Sequence, residues 1–306
     1  MLTCAKNYNI TKKQKKILIL GAYGMLGHQL FQKLSQYFDT YATCRNIRKE
    51  ECISQILPPD RLLPHVEVEN FDSIRQAIIT VHPDVVINSI GIIKQLDAAK
   101  DPIPSITINA LFPHQLAAVC QAEGLRLIHF STDCVFSGKK GKYTHQDVSD
   151  AEDLYGRTKY LGEVGGKGCL TIRSSVIGCE LGTKHGLVEW FRSQSGGMVK
   201  GYRKAIYTGF TTNEMSHIVS KILVDHPDLS GVWQVASSSI SKYELLCLIN
   251  MKMGLNILVE PDDTFICDRS LDGRLFAERT GYIAPSWEKM IEKLAKDSSF
   301  YNNMIG

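Results

Sequence analysis

Residues 16–27 read KILILGAYGMLG, and the reading of this stretch decides the fold. A short apolar run ends at Gly21, and Leu26, Leu30 and Leu34 then come four apart, a spacing that keeps them on one face of a helix. A buried strand, a glycine turn and an amphipathic helix are predicted. The glycines Gly21, Gly24 and Gly27 are spaced GxxGxxG. At such a turn they let backbone amides at a helix N-terminus approach a pyrophosphate, and the last lets the helix pack close to its strand. Glycine also closes ordinary strand-to-helix turns. After the first strand of a βα unit the dinucleotide reading is favoured, with Tyr23, Met25 and Leu26 in the same loop.

Working outward, strands are predicted at 40–44, 65–68, 84–88, 126–130 and 169–173, with helices at 72–80 and 104–120. Pro113 inside the latter predicts a kink. The repeated βα order predicts an α/β fold: a Rossmann-type, doubly wound parallel sheet with a smaller C-terminal substrate-binding region. The boundaries are a flexible basic leader over 1–15, an NADP-binding domain over 16–175, and a mainly substrate-binding region over 176–306. Some segments of that last region return to the sheet, and GVWQVA reads as a further strand.

The 306 residues suffice for a large buried core. Hydrophobic content of 44% and charged content of 22% are those of an ordinary soluble globular protein. The net charge is +3, yet five lysines and no acid fall in the first 16 residues, leaving 30 basic against 32 acidic residues elsewhere. That balance gives no nucleic-acid footprint. No apolar run approaches the roughly 20 residues needed to span a bilayer, so no membrane partner is expected. Nine scattered cysteines, without a CxxC or a Cys/His cluster, argue against a metal and fit reduced thiols in a cytoplasmic protein.

The residues after the second strand bear on the choice of dinucleotide. An acid there would accept hydrogen bonds from the adenosine ribose, whereas this chain has Arg45 and Arg48 with no acid before Glu50. A guanidinium can grip a 2′-phosphate, so NADPH is favoured over NADH, solvated loop arginines being the alternative. Small Ser89 and Gly91 after the fourth strand would let a cofactor lie against the strand end. Asn109, on the next helix, is either a bonding group beneath the site or a satisfied core residue. Ser131 and Thr132 end the fifth strand, at the sheet edge where open α/β folds bind ligands. Tyr155 and Lys159 are i and i+4 on a predicted helix, which puts a proton donor beside a cation. Lys94, Arg173, Arg203 and Arg269, with Lys184, Trp190 and Lys204, are candidates for gripping a nucleotide substrate. A surface or packing role stands open for each of them except Arg173, at the end of a strand, for which a structural ion pair and ligand contact stand equally open.

The glycine triplet, Ser131-Thr132 and Tyr155-xxx-Lys159, in this order, resemble the extended short-chain dehydrogenase/reductase family. GAYGMLG, STDCVFSG, YGRTKYLGE and IRSSVIG look most like its dTDP-4-dehydrorhamnose reductase branch. The resemblance implies NADPH-dependent reduction of a nucleotide-linked 4-keto-6-deoxy sugar, in the synthesis of a surface polysaccharide precursor. It implies Tyr155 as proton donor, Lys159 as the cation that favours phenolate and holds the nicotinamide ribose, and Thr132 as the carbonyl ligand with Ser131 in support. By the same analogy a homodimer is expected.

One position departs from the branch, whose usual phrase is STDYVF: Cys134 stands at the second residue after the threonine. GDP-fucose synthases carry a Cys there that epimerises the sugar before reduction, paired with a His after the sixth strand, and His185 lies in a comparable place. An epimerase-reductase using Cys134 and His185 is therefore an alternative, beside the blander reading of a buried thiol and a solvated imidazole. A non-catalytic dinucleotide-binding regulatory subunit is a further alternative, which the intact Thr132, Tyr155 and Lys159 disfavour.

Overall fold

The computed structural model describes residues 15–305. Of the expected leader, residues 1–14 lie outside them; Lys15 is in place, its ammonium donating to the Leu223 carbonyl at 3.0 Å.

The first strand shows how the layers arise. In β1 (Lys16–Leu20), Ile17 and Ile19 face one hydrophobic layer and Leu18 and Leu20 the other, all four fully buried. A strand covered on both faces reads as a continuous apolar run. Each such side chain contributes about 2 kcal/mol by leaving water. The helix α1 (Met25–Leu34) covers one face with Leu30 and Leu34. Then β2 (Asp39–Thr43) pairs with β1, and α2 (Glu51–Ile56) leads to a two-residue β3 (Leu62–Leu63) at the edge. The strand expected at 65–68 is thus displaced. His65 has φ +61, which ends the extended run, while Val66 and Val68, whose apolar signal suggested a strand, are buried beyond it.

Next come α3 (Phe71–Val81) and β4 (Val85–Asn88). The helix expected at 104–120 is three pieces: α4 (Pro102–Ser105), a π-helical stretch Ile106–Leu111, and α5 (Phe112–Ala122). Pro113 is the second residue of α5, directly after the π-stretch, so the interruption of the helix falls where the proline removes a donor. Beyond these lie β5 (Arg126–Ser131), α6 (Leu154–Leu161) and β6 (Cys169–Arg173).

The remainder comprises β7 (Val176–Ile177), α7 (Leu187–Arg192), β8 (Met198–Tyr207), β9 (Phe210–Thr211), α8 (Thr212–Asp225), β10 (Gly231–Gln234), β11 (Ile240–Ser241), α9 (Lys242–Met253), β12 (Leu258–Asp268), α10 (Arg274–Thr280) and α11 (Trp287–Ile305). The main sheet has seven strands in the order β10-β6-β5-β4-β1-β2-β3, every pair parallel. The chain winds outward from β1 in both directions, so the turns after β1 and β4 diverge at the carboxyl edge and open a crevice there. A second sheet, β11-β8-β12, was not foreseen: β12 carries Pro261 among acidic residues and changes register between Asp262 and Ile266, so it shows no alternation. Among the described residues no helix is long and apolar enough to cross a membrane.

Candidate active site

The crevice between the turns after β1 and β4 is shaped by the absence of side chains. Gly21 has φ +93, a conformation that L side chains rarely adopt, and a Cβ on Gly27 would sit 2.0 Å from the Gly21 carbonyl oxygen. Gly24 caps α1 without any side chain over the helix N-terminus. Ser89 stitches the two turns together, its hydroxyl donating to the Leu20 carbonyl at 2.6 Å. Met25 and Leu26 are half-buried in the first turn of the helix. Backbone amides are thereby left facing the crevice, and the loop fits the pyrophosphate of a nicotinamide dinucleotide.

Beyond the end of β2, Arg45 is exposed, and its backbone carbonyl accepts from the His65 amide at 2.9 Å. Arg48 instead folds inward, its guanidinium 4.9 Å from the centre of the Tyr23 ring.

Lys159 reaches the crevice from the other side. Its ammonium donates to the Phe130 carbonyl at 2.6 Å, and a Cβ on Gly91 would lie 3.9 Å from it. Burial pushes Lys159 down to about 8, against the opposing pull of Glu163. Asn109 lies in the π-stretch and fixes the loop beside Gly91: its side chain accepts from the Ile92 amide at 2.9 Å and donates to the Ile92 carbonyl at 3.0 Å. Gly162 completes the fit, since a Cβ there would be 1.9 Å from the Asn109 carbonyl oxygen.

Thr132 caps a short turn, accepting from the Cys134 amide at 3.1 Å and donating to Asp133 at 3.2 Å. The Tyr155 phenol is raised above its ordinary range, first by burial and then by the neighbouring Cys134, while a hydrogen bond with Thr132 works the other way. Thr132, Tyr155 and Lys159 are thus gathered at the carboxyl edge of β5. Ser131 is committed elsewhere, donating to Glu163 at 2.6 Å. Cys134 is pushed up to about 12 by burial and then by Asp133, although Arg269 opposes the shift with Nη1 at 3.8 Å from the sulfur. His185 is exposed and anchored by its backbone amide, which donates to Glu180 at 2.9 Å.

This arrangement can be compared with known proteins. A family model described as the RmlD substrate binding domain matches residues 15–183, more than half of the chain. The chain belongs to the RmlD-type branch of the extended short-chain dehydrogenase/reductases. A relative of this RmlD-type chain is the spore coat polysaccharide biosynthesis protein SpsK of Bacillus subtilis, 25% identical over 80% of this chain and 81% of that one. A dTDP-4-dehydrorhamnose reductase of Mycolicibacterium smegmatis is 30% identical, over 49% of this chain and 40% of that one. The crystal structure of a dTDP-4-dehydrorhamnose reductase from Bacillus anthracis in complex with NADP matches the fold with a TM-score of 0.77, at 20% identity, over 93% of this chain and 99% of that one.

Several charged residues expected to contact substrate have protein partners in this RmlD-type fold. Lys94 pairs with Asp153 at 2.6 Å, and that carboxylate also caps α6 by accepting from the Gly156 amide at 2.8 Å. Arg173 is buried in a two-bond pair with Glu163, at 2.9 and 2.6 Å. Arg203 pairs with Asp263, while Lys184 and Trp190 are exposed. Arg269 does approach Cys134, anchored through Nε on the Phe136 carbonyl at 2.8 Å.

The structure also brings in residues that the sequence did not announce. Gly156 lets α6 settle on the turn after β5, since a Cβ there would be 2.2 Å from the Cys134 carbonyl oxygen. Its signal was present in YGRTK. Lys242 and Tyr207 come from distant segments, the ammonium lying 4.1 Å from the Tyr207 ring centre. Burial raises the Tyr207 pKa and lowers that of Lys242, and the nearby Asp133 and Cys134 push both upward. Nothing in their local sequence marks them, because only the packing of α9 against β8 brings them to this edge.

Proposed function

We propose that the chain is an NADPH-dependent reductase of a nucleotide-linked 4-keto-6-deoxy sugar, acting in the synthesis of a surface polysaccharide precursor. The observation that carries this reading is the convergence of Thr132, Tyr155 and Lys159 beside a glycine crevice fit for a nicotinamide dinucleotide. The named activity of the Mycolicibacterium and Bacillus anthracis relatives supports the substrate class, and SpsK supports the polysaccharide setting. NADP in the Bacillus anthracis structure, with Arg45 and Arg48 after β2, supports the phosphorylated coenzyme.

When bound, the coenzyme supplies a hydride to the carbonyl carbon. Negative charge then develops on the carbonyl oxygen and needs a donor there. The raised pKa of Tyr155 keeps its phenol protonated, which is the form that donates, and the hydroxyl of Thr132 orients the oxygen toward it. Lys159, charged below about pH 8, stabilises the phenolate left behind and presents N–H donors to the ribose beside Gly91. A water-borne proton then restores Tyr155.

The test is to incubate the protein with NADPH and a panel of nucleotide-linked 4-keto sugars while monitoring coenzyme oxidation. Oxidation with at least one sugar is expected. Tight NADPH binding without oxidation across the panel would favour the regulatory-subunit alternative.

A further inference from the structure

Resting on the NADPH reading above, a second role for Arg48 emerges from its position between the two halves of the chain. Its backbone amide donates to the Tyr23 hydroxyl at 3.0 Å, and its guanidinium lies over the Tyr23 ring, so the side chain is held against the glycine turn. Nη1 then donates at 2.7 Å to the carbonyl of Leu181, in the segment that follows β7. The loop that contains Leu181 is built around Glu180. One carboxylate oxygen accepts from the Thr183 hydroxyl at 2.8 Å and the His185 amide at 2.9 Å, and the other from the Gly186 amide at 2.8 Å. Its last residue reaches the glycine turn: a Cβ on Gly186 would be 3.6 Å from the Met25 sulfur.

A guanidinium has two usable edges. With Nη1 on Leu181 and the plane fixed by Tyr23, the edge formed by Nε and Nη2 has no carboxylate partner among the described residues. That edge has the fork geometry that matches a phosphate. We propose that Arg48 is a two-sided clamp, reading the 2′-phosphate of the coenzyme with one edge while it holds the 180–186 loop with the other. Occupancy by the phosphorylated coenzyme therefore tightens the loop that carries Lys184 and His185. By linkage, a substrate that orders this loop raises the protein's affinity for NADPH more than its affinity for NADH.

The experiment uses 2′,5′-ADP, which carries the 2′-phosphate, and 5′-AMP, which lacks it. Calorimetric titration should show that Arg48→Gln lowers affinity for 2′,5′-ADP by at least about tenfold while leaving 5′-AMP nearly unchanged. The 5′-AMP arm also reports that the variant is folded. Lys49→Gln controls for loss of diffuse positive charge. Hydrogen exchange at the amides of His185 and Gly186 should slow with 2′,5′-ADP, slow less with 5′-AMP, and respond equally to both in Arg48→Gln. An equal loss in Lys49→Gln, an unchanged affinity in Arg48→Gln, or equal protection by the two ligands in the wild type overturns the clamp. If those outcomes occur while NADPH is still oxidised, only the clamp falls. Failure of the wild type to bind either NADPH or 2′,5′-ADP removes the clamp and the NADPH reading together.

Discussion

The hydroxyl of Ser131 donates to Glu163 across 2.6 Å, and Glu163 in turn holds Arg173 with both of its oxygens. The end of β5 is thereby locked to the end of β6, where Ser131 and Arg173 are partners in register. A buried pair of this kind resists removal of one member, because the other is left charged and dry. Glu163→Gln should destabilise the fold by about 3 kcal/mol, read from urea unfolding. Loss of less than about 1 kcal/mol would mean that water reaches Arg173 freely.

Tyr155→Phe removes the donor but keeps the ring. The expected outcome is a fall in kcat of about 10² to 10⁴ with NADPH affinity nearly retained. A kcat within a few-fold of the wild type would show that the proton comes from elsewhere.

The pH dependence is set by Lys159. Burial lowers its pKa to about 8, so its charge is present below that value and lost as the pH rises through it. A profile of kcat/KM should fall on the alkaline side with an inflection near pH 8. A rate that stays level to pH 10 would contradict the role given to the charged ammonium.

Cys134 sits beside Tyr155, yet burial pushes its thiol up to about 12, so at neutral pH it is protonated and a poor base. Turnover in heavy water should accordingly place no deuterium at ring carbons adjacent to the carbonyl, and Cys134→Ser should keep most of the rate. Ring deuterium that disappears in Cys134→Ser would restore the epimerase-reductase alternative.

Gly156→Ala tests the seating of α6, the helix that carries Tyr155 and Lys159. The added Cβ would meet the Cys134 carbonyl oxygen at 2.2 Å and the Ala151 side chain at 2.6 Å, so α6 must back away. A shift of about 1 Å in the position of Tyr155 is enough to cost about 100-fold in kcat. Thermal unfolding of the variant separates this from simple loss of fold, and a normal kcat would show that α6 has slack.

The sequence made the βα half of the molecule legible because its strands are buried on both faces and therefore appear as uninterrupted apolar runs. The glycine turn and the Tyr-Lys spacing were legible for the same local reason: both depend on contacts within a few residues. The third strand was misplaced by Val66 and Val68, which are buried without belonging to the strand that does pair. The π-stretch around Asn109 was hidden because it turns on its fit against Gly162 and the Ile92 loop, neither of which is near in sequence. For Arg173 the sequence left ion pair and ligand contact evenly open, and only the tertiary structure places Glu163 against it. Lys242 and Tyr207 lay beyond reach for a related reason, since they meet only where two separate elements pack.

The strand β10 arrives from residue 231 to pair with β6. A chain cut near residue 183, where the family match ends, would lose that cover and present β6 as a bare ladder of amides and carbonyls, ready to recruit another copy. Anyone exchanging the C-terminal part of this protein for that of a relative must therefore carry one strand of the seven-stranded sheet along with it. The two halves of the molecule are stitched into one inseparable piece of cloth.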